Sequence, residues 1–443
     1  MTANRTATAV SYGGVIDQLV AGEWIDPTTS APLRLPIESI VIESTLDGHE
    51  ADLVGRLHPG RSLLVVCDEN TRDVLGARIF QALKALGKVD EFIWKQPRCS
   101  EEGVAELMAE TRGYEALIAV GSGTVSDSVK YATFQDGREY SVFPTSPMNA
   151  YTTPTASVAS SGLKKSITCH SARGVFFDLE VMAGCPHRLV RAAFADVICR
   201  TTAQVDWLMS HMLFDTTYSP SPYILLAYDE NDLLDHAADL TSGNIESLAM
   251  LTRISTIMGL GTIFTGTTHS GSMAEHMISH CIDMFAGQAH PGTSHGEQVG
   301  VTTLTLSALQ NQILGSDSPP EIRPTVIPRE RLAQRYGQEV AAMMAEQAGR
   351  KAIDGATADR LNARFSEDWE GFAAPLRAVM LPFERLQTAM TAAGCQQSAA
   401  DLGLDPAFYR QIVSDGRFTR DRFTALDLAD DSGRLDAFVA GHC

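Results

Sequence analysis

Apolar residues are arranged differently in the two parts of the chain. In the first part they form short unbroken runs that stop at turn residues. Leu63-Leu64-Val65-Val66-Cys67 leads into Asp68-Glu69-Asn70-Thr71 and then an amphipathic stretch to Leu86. A run of that length predicts a buried strand, and the polar residues after it predict a helix start. Ala116 to Val120, followed by Gly121-Ser122-Gly123-Thr124 and helical spacing through Ala132, repeats the pattern. A third strand is expected from Tyr140 to Phe143, ending at Pro144-Thr145. Strands alternating with helices imply a parallel sheet with helices on its faces. Beyond about residue 190 helical spacing takes over, at 191–213, 244–258, 273–284 and 329–348, and strand-like runs nearly vanish. The expected plan is a pattern-poor extension over residues 1–35, an α/β domain over 36–187 and an all-α domain over 188–443.

Composition narrows this picture. A chain of 443 residues exceeds what one core usually supports, so two domains are expected. Hydrophobic residues at 44% and charged residues at 20% are ordinary for a globular protein, and no membrane-spanning stretch is read from the sequence. Met1 to Ala21 lacks a basic region followed by an apolar run, which predicts no secretory signal and a cytoplasmic location. The formal charge of -19 argues against nucleic acid or an anionic membrane as partner, so any anionic ligand needs a local basic pocket. Eight cysteines without a C-x-x-C pair suit a reducing compartment and small core positions.

Two groups of residues carry candidate chemistry. Glycines between a buried strand and a helix let the backbone approach a pyrophosphate and aim free N–H groups at it, and Gly121-Ser122-Gly123 has that context. The bare alternative is a tight turn with no ligand. Asp68, just past a strand end, is suited to the hydroxyls of an adenosine ribose and would repel a 2'-phosphate, which favours NAD over NADP; equally, it is suited to capping the helix after it. The second group is a cluster of five histidines, 269, 276, 280, 290 and 295, within 27 residues. His276 and His280 share one helix face by their spacing, and imidazole is the commonest metal ligand. His295 opens Ser294-His295-Gly296-Glu297, where Glu297 would either orient it or start a helix. A third ligand must come from elsewhere; Asp196 is the candidate, read at the head of a helix where an acidic residue is ordinarily a cap.

Taken together, VCDENT, AVGSGTVSDSVKYA, FPTSPMNAYTT, GLKKS, FFDLEVMAGCPHRLVRAAFADVICRTTAQVDWLMSH, SGSMAEHMISH and SHGEQVG resemble, in order and separation, the iron-containing alcohol dehydrogenase superfamily, and within it the sn-glycerol-1-phosphate dehydrogenase group. The resemblance runs from about Leu63 to Leu304. It implies a Rossmann-like N-terminal domain, a helical C-terminal domain as in dehydroquinate synthase, and an active site in the cleft between them. It further implies that Asp196, His276 and His295 bind one divalent metal (zinc, nickel or iron) and that Asp68, Gly121, Ser122, Gly123, Asp127, Thr145 and Ser146 line NAD or NADP. Lys130, Lys164 and Lys165 would offer positive charge to phosphates, with Lys165 facing the substrate, and a homodimer is the expected assembly.

The sequence also departs from the group. Where relatives read S-M-D-G-Y-A-S, with the Asp toward the substrate, this chain reads Pro147-Met148-Asn149-Ala150-Tyr151-Thr152-Thr153. An amide at Asn149 still hydrogen-bonds a hydroxyl but brings no charge. The implied reaction is reversible hydride transfer between nicotinamide and a small polyol or polyol phosphate, with His280 relaying the proton. The alternatives are a dehydroquinate synthase-like lyase that uses NAD transiently, and a nucleotide or polyol-phosphate sensor without turnover. The role of the region from Arg329 to Cys443 stays open.

Overall fold

The computed structural model describes residues 11–160 and 163–443. Residues 1–10 of the expected extension and Gly162 of the GLKKS stretch lie outside the described residues, as does the side chain of Lys164. The chain divides into two compact units. The first runs to Ala193 and takes in Pro220–Gly266; the second comprises Phe194–Ser219 and Thr267–Cys443.

The first unit opens with a helix, α1 (Val15–Ala21), which buries Val15, Ile16 and Leu19. A short antiparallel pair, Ile25–Asp26 with Ala31–Pro32, follows. Residues 11–35 are therefore built into the unit and do not trail from it as an extension. Asp26 accepts a hydrogen bond from Ser221 at 2.7 Å, and Arg253 donates to the carbonyl of Tyr12 at 2.8 Å. These partners lie more than 190 positions away in sequence, so local pattern could not show them.

A six-stranded parallel sheet forms the centre of the unit: β1 (Ser39–Glu43), β2 (Leu63–Asp68), β3 (Val89–Trp94), β4 (Ala116–Gly121), β5 (Glu139–Pro144) and, after the hairpin of β6 (Thr155–Ser160) and β7 (Leu163–Thr168), β8 (Gly174–Asp178). The order across the sheet is β1-β8-β5-β4-β2-β3. Every residue of β2 and β4 is buried, as strands covered on both faces require. The chain leaves β2 for β3 on one side and returns to place β4 on the other. The crevice at the carboxyl ends of β2 and β4 is thus the topological switch point, where open α/β sheets bind ligands.

The expected single boundary near residue 187 differs from this division in two ways. The chain passes into the second unit inside the helix α3 (His187–Val197), and it returns for Pro220–Gly266. The stretch of helical spacing over 191–213 holds two helices, α3 and α4 (Arg200–Phe214), broken at Ile198-Cys199. The returning segment carries α5 (Ile245–Thr265), capped by Asn244. By length and composition α5 is apolar enough to cross a membrane, with a mean hydropathy of 1.4, which the sequence reading overlooked; 67% of its most apolar window is buried in the protein, as for a core helix. Thr152 donates to the carbonyl of Thr256 at 2.9 Å, and a Cβ at Gly259 would meet the oxygen of Asn149 at 2.5 Å, so this helix approaches the turn after β5 closely.

The second unit contains no strand among the described residues. After α4 it resumes with α6 (Ala274–Phe285) and α7 (His295–Leu314), and the helices of the C-terminal region close around them. Phe365, Phe372, Leu426 and Phe438 share one buried cluster with Val205, Ile278 and Leu306. The region from Arg329 onward therefore completes this core.

Candidate functional site

In the second unit, the end of α3, the face of α6 and the start of α7 bring three side chains together. His276 Nε2 lies 3.8 Å and His295 Nε2 3.9 Å from the same oxygen of Asp196, and one ligand atom from each of the three lies within 4.8 Å of the others. Those separations are too long for hydrogen bonds. They are slightly wider than the roughly 3.4 Å between two ligand atoms sharing a tetrahedral metal, given metal–ligand bonds of about 2.1 Å. His276 is also oriented: its Nδ1 lies 3.0 Å from Glu275 Oε1, so the Nδ1–H donates there and the Nε2 lone pair faces Asp196. This carboxylate–histidine arrangement is how proteins hold a metal-binding imidazole in one tautomer.

Glu275 is itself held. Its Oε1 accepts from the Met273 amide at 2.6 Å and its Oε2 from Thr202 Oγ1 at 3.1 Å. Burial pushes its carboxyl up, but His276 and the Met273 amide outweigh that and hold it below the ordinary value. The sequence reading missed Glu275, because adjacent helical residues do not normally face each other. Cys199, also missed, is buried and stands with Glu275 and His276 in a second group of converging donors.

Asp196 sits in the last turn of α3 and not at a helix head as expected. A carboxylate there opposes the negative end of the helix dipole, at a cost of about 0.3–1 kcal/mol. Its side chain cannot cap that end, since a carboxylate offers no donor to the last carbonyls, and it stands instead among donors that could hold a metal ion. His295 is the first residue of α7, and Glu297 closes the capping box with Ser294, so Glu297 starts the helix. The donor set, the fixed tautomer and the misplaced carboxylate all fit a divalent metal.

The other clustered histidines go separate ways. His280 has its ring centroid 5.7 Å from that of His295 and 6.0 Å from that of His276. Its Nδ1 lies 3.1 Å from Arg420 Nη2, and because a guanidinium only donates, Nε2 is the protonated nitrogen of a neutral His280. His290 pairs with Asp283 at 3.1 Å, and His269 packs against Trp207.

In the first unit, Gly121 ends β4 and Ser122 precedes α2 (Gly123–Asp136), with no side chain capping that helix start. Gly121 has φ 151°, and a Cβ there would meet Thr71 Oγ1 at 3.0 Å, so the loop requires glycine. Asp68 ends β2 beside it. Its Oδ1 accepts from the Thr71 amide at 2.8 Å, so the capping role is occupied by one oxygen. The Thr145 amide donates to Gly121 O at 3.2 Å, and Ser146 Oγ meets Tyr151 Oη at 2.8 Å. Asn149 begins the short helical turn that follows.

Lys130 differs from expectation. Lys130 is fully buried and donates to Asp127 Oδ1 at 2.9 Å and to the carbonyls of Ala150 and Thr155 at 2.8 Å, which uses all three of its protons. It is therefore neither solvated nor available to a phosphate. Asp127 also accepts from the Ser157 amide at 2.9 Å, so it ties α2 to the hairpin. Lys165 is exposed on β7.

Fold and site define a class: a parallel α/β unit with a glycine loop at its switch point, and a helical unit carrying a carboxylate and two imidazoles in metal-binding array. The family model for iron-containing alcohol dehydrogenase matches residues 41–186. Over those residues the chain is similar to the iron-containing alcohol dehydrogenases. It is 30% identical over 269 residues to a glycerol-1-phosphate dehydrogenase [NAD(P)+] of Halalkalibacterium halodurans, covering 58% of this chain and 65% of that one. It is 29% identical over 279 residues to the protein of the same name from Geobacillus thermodenitrificans, covering 60% and 69%. The structure of a probable glycerol dehydrogenase from Sinorhizobium meliloti superposes with a TM-score of 0.57 at 18% identity, over 89% of this chain and 96% of that one.

Proposed function

We propose that this protein is a metal-dependent, NAD(P)-dependent dehydrogenase that interconverts a small polyol phosphate and its ketone, with sn-glycerol 1-phosphate and dihydroxyacetone phosphate as the first candidates. The observation that carries the reading is the convergence of Asp196, His276 and His295 in a chain whose other unit holds the Gly121–Gly123 loop. The names of the similar proteins support the substrate class.

Asp196, His276 and His295 would hold the metal, which when bound supplies Lewis acidity toward the substrate's oxygen. Glu275 fixes the His276 ring. His280 is the candidate for the proton relay; with its Nδ1 accepting from Arg420, the neutral ring offers its Nε2–H as a hydrogen-bond donor. The amides at the start of α2 would receive the cofactor's pyrophosphate, and Gly121 lets that backbone be approached. Asp68 at the end of β2 would accept ribose hydroxyls and disfavour a 2'-phosphate, so NAD is the favoured cofactor. Eight free cysteines support a cytoplasmic setting. A homodimer is part of the same reading, checked by light scattering.

The test follows NADH and NADPH absorbance with metal-replenished protein against dihydroxyacetone phosphate, dihydroxyacetone and other short ketoses, with and without chelator. Chelator-sensitive oxidation of NADH by the phosphorylated ketone is expected. Absence of oxidation with every carbonyl, while metal and nucleotide bind, would overturn the reading.

A further inference from the structure

Two arginines in the second unit lack the partners that a fold normally supplies. Arg417 shows the usual arrangement: it is fully buried and lies against Asp427, Asp430 and Asp431. Arg420 and Arg422, three and five positions on, have no carboxylate within ion-pair distance among the described residues. Arg420 donates to Ser272 Oγ at 2.9 Å and to His280 Nδ1 at 3.1 Å. Arg422 donates to the Ser272 carbonyl and to Thr268 Oγ1, the latter at 2.7 Å. All of these partners are neutral. Glu275 and Asp421 act on the pair only at a distance.

Both arginines are half-buried, and withdrawing two like charges even partly from water without a counter-ion is unfavourable. Burial pulls Arg420 below its ordinary value, and burial together with the charge of Arg420 brings Arg422 down to about 9. His269, which feels both cations, is pushed down to about 3 by burial first and by Arg422 next, and so is neutral; its buried Nδ1 meets no hydrogen-bond partner. The anion is therefore not supplied by the protein. In a chain of net charge -19, an uncompensated pair of guanidiniums one imidazole away from the metal-binding side chains is the local basic pocket that an anionic ligand needs.

We infer that Arg420 and Arg422, with the hydroxyls of Thr268 and Ser272, form a phosphate site that holds the phosphate of the substrate while His280 separates it from Asp196, His276 and His295. Forked guanidinium donors suit phosphate oxygens. That the phosphate is the substrate's rests on the dehydrogenase reading above; that an anion binds here does not.

Calorimetry with inorganic phosphate and with glycerol 1-phosphate, on metal-loaded wild type, Arg420→Gln, Arg422→Gln and the exposed control Arg360→Gln, tests it. Loss of a charge-assisted hydrogen bond should weaken phosphate about 10- to 100-fold in the first two variants, with metal content unchanged and the control like wild type. Arg420→Lys and Arg422→Lys keep the charge and guard against misfolding, and should recover part of the binding. Competition by inorganic phosphate against dihydroxyacetone phosphate, together with a collapsed preference for the phosphorylated ketone in both variants, would assign the site to the substrate. Undiminished phosphate binding in the Gln variants, or none to wild type, would overturn the inference. Phosphate binding that needs both arginines, in a protein that reduces no ketone, would uphold the anion site and fell the dehydrogenase reading instead.

Discussion

Single residues show the cost of function most directly. Glu275 touches no substrate in this reading but sets the ring of His276, so Glu275→Gln should weaken metal affinity about 10- to 100-fold while leaving the three ligands in place. Chelator competition followed by metal analysis measures it, and an affinity equal to wild type would deny Glu275 that role. His58 gives a pH effect. It is buried against Ser141, and burial, then Arg173, push its imidazole down to about 4. The unfolded chain takes up a proton near pH 6.5 and the folded chain does not until about pH 4. Stability should therefore fall as pH drops through that window, by about 3 kcal/mol in all at 1.36 kcal/mol per unit. His58→Gln should flatten this part of the profile in urea melts taken between pH 7 and 4.5. An unchanged slope would show that other groups cause it.

At the scale of elements, two helix ends are in tension with local rules. Asp196→Asn removes a carboxylate from the last turn of α3, so the metal-free variant should exceed metal-free wild type in stability by about 0.3–1 kcal/mol, with the order reversed once metal is added. Denaturant melts with and without chelator decide it; a variant less stable in both states would mean that the carboxylate is structural. At the start of α2, Gly121→Ala combines an unfavourable φ with a contact to Thr71, and should weaken NAD binding more than tenfold on a scale of roughly 1–3 kcal/mol. Fluorescence titration of NADH checks it. Element patterns were readable where apolar residues run together: Leu63–Cys67 of β2 and Ala116–Val120 of β4 are unbroken apolar runs. The edge strands β1 and β3 were not, because the exposed Asp90 and half-exposed Glu91 break the run in β3, and Ser39 and Glu43 leave only three apolar residues in β1. The break at Ile198-Cys199 was not readable, because apolar spacing continues across it.

Across the whole molecule, the two candidate sites lie in different compact units, so their ligands should leave separate traces. Adding metal should slow amide exchange around 194–199 and 270–300, and adding NAD should slow it around 68–72 and 121–128. Ligand at a hundredfold excess over its Kd stabilises by about 2.7 kcal/mol. Hydrogen-exchange mass spectrometry maps both effects, and metal protection centred on the first unit would relocate the metal site.

The sequence alone determined the alternation of strand and helix, the glycine turn and the histidine pair on one face of α6, because each depends on spacing within a few residues. Motif order brought Asp196 and His295 into the set and so carried the resemblance to the superfamily. Only the tertiary structure decided which distant groups meet. It put Asp196 at a helix end that a carboxylate cannot cap, beside His276 and His295, removed Lys130 from the surface, and carried Arg420 from the unaligned C-terminal region to His280. The physical reason is that periodicity fixes which face of a helix is apolar, while packing among elements far apart in sequence fixes what that face, and the polar groups at its margin, will touch.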